Sequence, residues 1–67
     1  MSFVLRNSRD LIRRLGDEGF ELASVHGSHH KFVHRSRQLI VIVPHPKADL
    51  PPGTVRSIYR QAGWRKD

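Results

Sequence analysis

The sequence predicts an α+β domain in which two helices pack on one face of a three-stranded antiparallel sheet, in the order α-β-β-β-α. Three observations support this prediction. Apolar residues recur at helical spacing near both ends, the segments between them have strand composition, and the connections between those strands are short. The 67 residues suffice for one domain, residues 1–67, whose core we place at about 8–63.

The first helix is predicted over residues 8–17, where Leu11 and Leu15 share one face with other apolar residues. Asn7 is a suitable N-cap, because its side chain can accept a hydrogen bond from a free N–H of the first turn. Gly19 has the conformational freedom that ends a helix.

Three strands are predicted to follow. The first covers residues 20–26 and the second 29–34, and Gly27-Ser28 between them is a two-residue hairpin turn. The third covers 39–43, is aliphatic throughout and ends at Pro44. Short connections make the three strands an antiparallel meander.

The last helix is predicted from apolar residues that recur at i, i+3, i+4 and i+7 between Val55 and Ala62. Pro51 or Pro52 suits its first turn, and Gly63 suits its end. The core of the domain is expected to include Leu15, Ile42 and Ile58.

The composition excludes several classes of protein. Apolar residues make up 37% of the chain, which argues against disorder, and the absence of cysteine excludes disulfides, a thiolate nucleophile and sulfur-ligated zinc. The chain carries 12 Lys+Arg and 6 Asp+Glu, a net charge of +6. This balance favours a polyanionic partner, nucleic acid first, although a basic surface can also serve solubility alone. The apolar run Phe3–Leu5 is too short for a signal peptide or membrane span, so a cytoplasmic protein is expected.

Five histidines occur, four of them in the predicted hairpin. An imidazole can give and take protons near neutral pH. If Phe32 faces the helices, strand alternation places His30 and His34 on the same side, and His29 and Lys31 on the open face. The exposed imidazole and its neighbouring lysine can reach a phosphodiester. For His30 we expect a partly buried ring that is bonded to a backbone carbonyl.

A metal site and a serine nucleophile are the alternatives for the hairpin. His26, His29, His30 and His34 are close in sequence, and imidazole binds zinc or copper. However, adjacent strand residues point to opposite faces, and no carboxylate or thiolate is nearby to complete a ligand set. Ser28 has no acidic residue in the local sequence to orient a histidine base. We therefore expect neither a metal nor another cofactor.

The start of the last helix is a second candidate for anion binding. Gly53-Thr54 offers free backbone N–H groups and a hydroxyl. Arg56 and Arg60, four residues apart on the polar helix face, would extend the basic surface. The connection before this helix carries His45 between two prolines and then Lys47, and its simplest interpretation is a stiff link.

Four elements follow one another along the chain: GSHHKF at 27–32, VPHP at 43–46, LPPGTVRSI at 50–58 and AG at 62–63. In this order they resemble the HicA family of small bacterial and archaeal toxins, over about residues 8–63. The resemblance implies a fold like that of double-stranded-RNA-binding domains. It also implies ribosome-independent cleavage of messenger RNA, and silencing by a HicB-type antitoxin.

The resemblance makes His29 the catalytic histidine and Gly27 the glycine of its motif. We expect a metal-independent endoribonuclease in which the RNA 2′-hydroxyl is the nucleophile and His29 is the general base or acid. Lys31 would stabilise the developing charge, and Ser28 with the Gly27 backbone would hold the phosphate. The second proton-transfer group remains open between His30, His45 and Lys31.

The expected partners are messenger RNA and an acidic HicB-type antitoxin, with DNA contacted only through that antitoxin. The antitoxin should cover His29, Lys31 and some of Lys47, Arg56 and Arg60. One alternative is a non-catalytic double-stranded-RNA-binding module, which the fold and charge fit equally well but which does not require His29. Another is a pure interaction protein whose basic face docks the antitoxin.

Overall fold

The computed structural model describes residues 4–65 and has the predicted α-β-β-β-α order. The strands pair antiparallel in the order β1-β2-β3, so β1 and β3 form the two edges of the sheet. This confirms the predicted fold class. No helix among these residues has the length and hydropathy needed to cross a bilayer. The elements are α1 (Ser8–Asp17), β1 (Glu21–His26), β2 (His29–His34), β3 (Leu39–Pro44) and α2 (Pro52–Ala62).

The helices begin and end at the predicted signals. The Asn7 side chain accepts a hydrogen bond from the Arg9 backbone N–H at 2.8 Å, which caps α1. Both helices end in a left-handed glycine, and the residue after each glycine donates its N–H to a carbonyl of the last turn. These pairs are Phe20 to Leu15 at 2.9 Å, past Gly19 (φ 99°), and Trp64 to Tyr59 at 2.8 Å, past Gly63 (φ 77°).

Both helices pack on one face of the sheet, and the other face is open. The strand register pairs Phe32 with Val41 and His30 with Val43, so both valines point toward the helices and are fully buried. The core consists of Leu11, Leu15, Phe20, Phe32, Val41, Val43, Leu50, Val55, Ile58, Tyr59 and Ala62.

The prediction that Ile42 lies in the core is wrong, whereas Leu15 and Ile58 are buried as predicted. Ile42 is 36% exposed and lies opposite Lys31 on the open face. The reason is strand parity. Because Phe32 pairs with Val41, the odd positions of β3 face the helices and the even positions face away.

α2 also contacts the free edge of β3. The backbone N–H of Ile42 points away from β2 and donates to the side-chain oxygen Oε1 of Gln61 at 3.0 Å. One flank of α2 is thereby held beside the edge strand.

A polar clasp, formed by Arg14, Glu18 and Trp64, ties the C-terminal segment to α1. The Trp64 indole N–H donates to one carboxylate oxygen of Glu18 at 2.7 Å, and Arg14 Nε donates to the other at 2.9 Å. The Arg14 guanidinium lies 4.0 Å from the centre of the Trp64 ring, so the three side chains contact one another.

The clasp predicts a pH-dependent contribution to stability. Burial raises the pKa of Glu18. Hydrogen bonds from Arg14 and Trp64 and the positive charges of Arg14 and Arg37 lower it by a larger amount, so the net pKa lies below the ordinary 4.5. A carboxyl whose pKa is lower in the folded state stabilises the fold above its unfolded pKa and loses that contribution as the pH falls through its folded pKa.

Glu18→Gln is therefore expected to destabilise the protein at pH 7 by about 1 kcal/mol, and the difference from wild type should shrink on acidification. Urea denaturation at a series of pH values from 7 downward, followed by circular dichroism, measures the free energy of unfolding of both proteins. Asp17→Asn, at the exposed neighbouring carboxyl, is the matched control. The prediction would be contradicted if the difference in unfolding free energy between wild type and Glu18→Gln stayed constant into strong acid.

Candidate active site

The hairpin between β1 and β2 displays His29. Gly27 has φ 60°, a left-handed conformation that glycine adopts at little cost and that turns the chain tightly into β2. His29 is the first residue of β2, is exposed, and lies opposite Pro44 of β3. Lys31 lies two residues further on the same open face, so its ammonium and the imidazole face the same side of the sheet.

His29 lines an open groove of about 490 Å³ between the edge of β3 and one flank of α2. The groove joins two features that the sequence indicated separately, the exposed imidazole and the start of α2. Its lining consists of His29, Ile42, Pro44, Pro51, Gly53, Thr54, Ser57, Ile58 and Gln61.

The α2 side of the groove supplies hydrogen-bond donors. The first backbone bond of α2 runs from Val55 N–H to Pro51 C=O at 3.0 Å, and no side chain among residues 4–65 caps the helix start. The N–H groups of Gly53 and Thr54 precede that bond, so they have no acceptor within the helix. These donors and the positive end of the helix dipole suit an anion.

Arg60 contacts a residue of the groove wall, whereas two other predicted basic residues line other cavities. The Arg60 guanidinium donates to Ser57 Oγ at 3.5 Å. Arg56 lines a different cavity together with Arg6. Lys47 lines a third one, beside the start of α1. Of these three basic residues, only Arg60 contacts a residue that lines the groove with His29.

The remaining hairpin histidines have structural contacts or are exposed at a strand end. His30 Nδ1 donates to the Ser28 carbonyl at 3.2 Å, as expected for a partly buried ring. His34 Nε2 donates to the Glu18 carbonyl at 3.0 Å, and His26 is exposed at the end of β1. Within residues 4–65, no three histidine or carboxylate side chains come together in a way that could hold a metal ion.

Ser57 and Gln61 line the groove but were not among the predicted site residues. Ser57 Oγ accepts from Gln61 Nε2 at 2.8 Å, and Gln61 Oε1 accepts from the β3 edge, so this pair forms a polar wall. Their spacing in the sequence indicates that they share one side of the helix. Thr54, Ser57 and Gln61 recur at i, i+3 and i+7 along one border of the apolar stripe of α2.

The fold and the groove define a small basic α+β domain that presents an exposed imidazole beside a helix N-terminus. A family profile described as "HicA toxin of bacterial toxin-antitoxin" matches residues 8–64. The chain belongs to this HicA toxin family, and the partner that the family implies is an antitoxin. A direct comparison with curated proteins gave no match.

Proposed function

We propose that this toxin is a metal-independent endoribonuclease that cleaves messenger RNA in the cytoplasm and thereby arrests growth. The observation that supports it most is the placement of His29, an exposed imidazole in a groove whose opposite wall holds the free N–H groups of α2. Membership in a toxin family and the net charge of +6 fit the same activity.

The chemistry needs few protein groups, because RNA carries its own nucleophile. The 2′-oxygen attacks the adjacent phosphorus, the bond to the 5′-oxygen breaks, and a 2′,3′-cyclic phosphate and a 5′-hydroxyl remain. His29 takes the 2′-hydroxyl proton or gives a proton to the leaving oxygen, a contribution of about 10²–10⁴-fold. Lys31, on the same face, stabilises the negative charge that develops on the phosphate.

The groove supplies the phosphate contacts. The N–H groups of Gly53 and Thr54 have no helical partner, and Arg60 reaches the same wall through Ser57. The groove is open and shallow, which fits a single RNA strand laid across the edge of the sheet. Ser28 and the Gly27 backbone, next to His29 in the hairpin, would also hold the phosphate.

Cleavage is expected to persist in EDTA, because no step of this mechanism uses a metal. Purified toxin and a labelled RNA are incubated with and without EDTA, and the fragment ends are analysed. The upstream fragment should carry a 2′,3′-cyclic phosphate or its hydrolysis product. Loss of activity in EDTA with recovery in zinc or manganese would overturn the mechanism. RNA that binds tightly but stays intact would instead support a non-catalytic double-stranded-RNA-binding module.

We further propose that the antitoxin is of the HicB type and acidic, and that it covers His29, Lys31 and the groove. An acidic partner complements the basic chain, so its association rate should fall as salt rises. Occupation of the groove would exclude RNA from the imidazole, which is sufficient for inhibition.

The charge reversal Arg56→Glu with Arg60→Glu is expected to weaken the binding of both RNA and antitoxin. Arg60→Glu alone should account for most of the loss, because Arg60 contacts Ser57 of the groove wall and Arg56 lines a different cavity. For RNA, the salt dependence of log K should become shallower by about 0.7 for each lost phosphate contact. Titrations over a salt series measure both effects. The proposal that RNA and antitoxin share one surface would be contradicted if the toxin bound both at saturation and still cleaved the RNA.

A further inference from the structure

Ser8, a buried residue of α1, forms hydrogen bonds with the connection that follows β3. Ser8 is 1% exposed, and its Oγ lies 2.7 Å from Nδ1 of His45. The same Oγ accepts the Lys47 backbone N–H at 2.8 Å, and the Ser8 N–H donates to the Lys47 carbonyl at 2.9 Å. A hydroxyl has one proton and two acceptor lone pairs, so Ser8 Oγ can accept from Lys47 and bond Nδ1 of His45 at the same time.

His45 is also hydrogen-bonded to the hairpin that carries His29. Its backbone N–H donates to the Ser28 carbonyl at 2.7 Å, and the His30 ring donates to the same oxygen at 3.2 Å. The two rings contact each other edge to face, with centres 5.0 Å apart and an angle of 88°. The carbonyl directly before His29 therefore receives two hydrogen bonds.

We propose that Ser8, His45 and His30 are positioning residues for the His29 imidazole. The Ser28 carbonyl and the His29 N–H belong to one planar peptide group, so two bonds to that oxygen fix the plane from which the His29 side chain departs. The proposal rests on the proposed ribonuclease function and adds the groups that hold its histidine in place.

His45 and His29 line different cavities. His29 lines the groove beside α2, whereas His45 lines the cavity beside the start of α1, together with Ser8 and Lys47. One ring nitrogen of His45 is occupied by Ser8, and one ring nitrogen of His30 by Ser28. These contacts favour a role in orientation for both rings.

The decisive comparison is His45→Leu with His45→Asn. The asparagine amide can occupy the place of Nδ1 and keep the bond to Ser8, but it has no group at the place of Nε2. A misplacement of about 1 Å can cost about 100-fold in rate, so His45→Leu should lower kcat by about 10- to 100-fold and leave KM nearly unchanged. His45→Asn should retain most of the activity. Equal losses of kcat in both variants would assign His45 to proton transfer and overturn the proposal.

His34→Leu is the matched control. It removes a ring-to-carbonyl hydrogen bond and an edge-to-face contact, with Phe20 at 5.1 Å, at the opposite end of β2. It should lower stability and leave the kcat of the folded protein unchanged. If His34→Leu lowered kcat as much as His45→Leu does, the contacts of His45 would only stabilise the fold and would not position His29.

NMR tests the orientation without relying on RNA cleavage. Both His45→Leu and His45→Asn remove the ring current of His45 and so shift nearby signals, but only His45→Leu should speed amide exchange at His29, because His45→Asn keeps the bond to Ser8. If wild-type protein cleaves no RNA, the proposed function fails while these signals still test the positioning. His30→Leu, which leaves the Ser8 contact intact, gives the same readouts if His45→Leu does not fold. Unchanged amide exchange at His29 in a folded His45→Leu or His30→Leu protein would overturn the proposal.

Discussion

Replacing His29 with alanine is expected to abolish RNA cleavage and the growth arrest that it causes, while the fold remains intact. The side chain is exposed, so its removal leaves no cavity in the core. The loss of a proton-transfer group should lower the cleavage rate by about 10²–10⁴-fold. Growth after induction, decay of a labelled RNA and circular dichroism measure the three parts of this expectation.

His26→Ala is the control for this experiment. His26 is exposed and pairs with His29 across the hairpin, but it does not line the groove. This variant should remain toxic and should cleave RNA at nearly the wild-type rate. A folded His29→Ala protein that remains fully toxic would remove His29 from the catalytic site.

Replacing Ile58 with alanine is expected to be the most damaging single change to stability. Ile58 is 1% exposed in the centre of the core, and truncation of such a side chain costs about 2–5 kcal/mol. Small domains have only about 5–15 kcal/mol of stability in total. Leu15→Ala, at a fully buried position of α1, should have a similar effect. Urea or thermal denaturation measures the change.

Ile42→Ala is the matched comparison, because it truncates the same type of side chain on the open face. It should cost less than about 1 kcal/mol, as expected for a partly exposed position. An equal loss of stability in Ile42→Ala and Ile58→Ala would contradict the strand register described above.

Local signals in the sequence were sufficient to predict the elements and their order. Asn7 before α1 and the glycines after both helices mark ends that depend on a few neighbouring residues, and each lies where predicted. The start of β1 was predicted one residue early, since the Phe20 N–H completes the end of α1. The parity of β2 was also predictable, because Phe32 is its large apolar residue and it is buried.

The parity of β3 and the composition of the groove were not predictable in the same way. Five consecutive aliphatic residues in β3 show no alternation, so only the pairing of Phe32 with Val41 determines that Ile42 faces outward. The groove depends on α2 lying beside the edge of β3, a contact between distant segments. The link from Ser8 to His45 is likewise long-range, and neither residue carries a local signal for the other.

The bond from Ile42 to Gln61 also bears on strand pairing at the edge of the sheet. An edge strand offers unpaired N–H and C=O groups on which a strand of another chain can grow. At β3, which is rich in aliphatic residues, the Gln61 amide occupies one of the donors that such a strand would need. A foreign strand that paired with β3 at this position would first have to displace Gln61 from the Ile42 N–H.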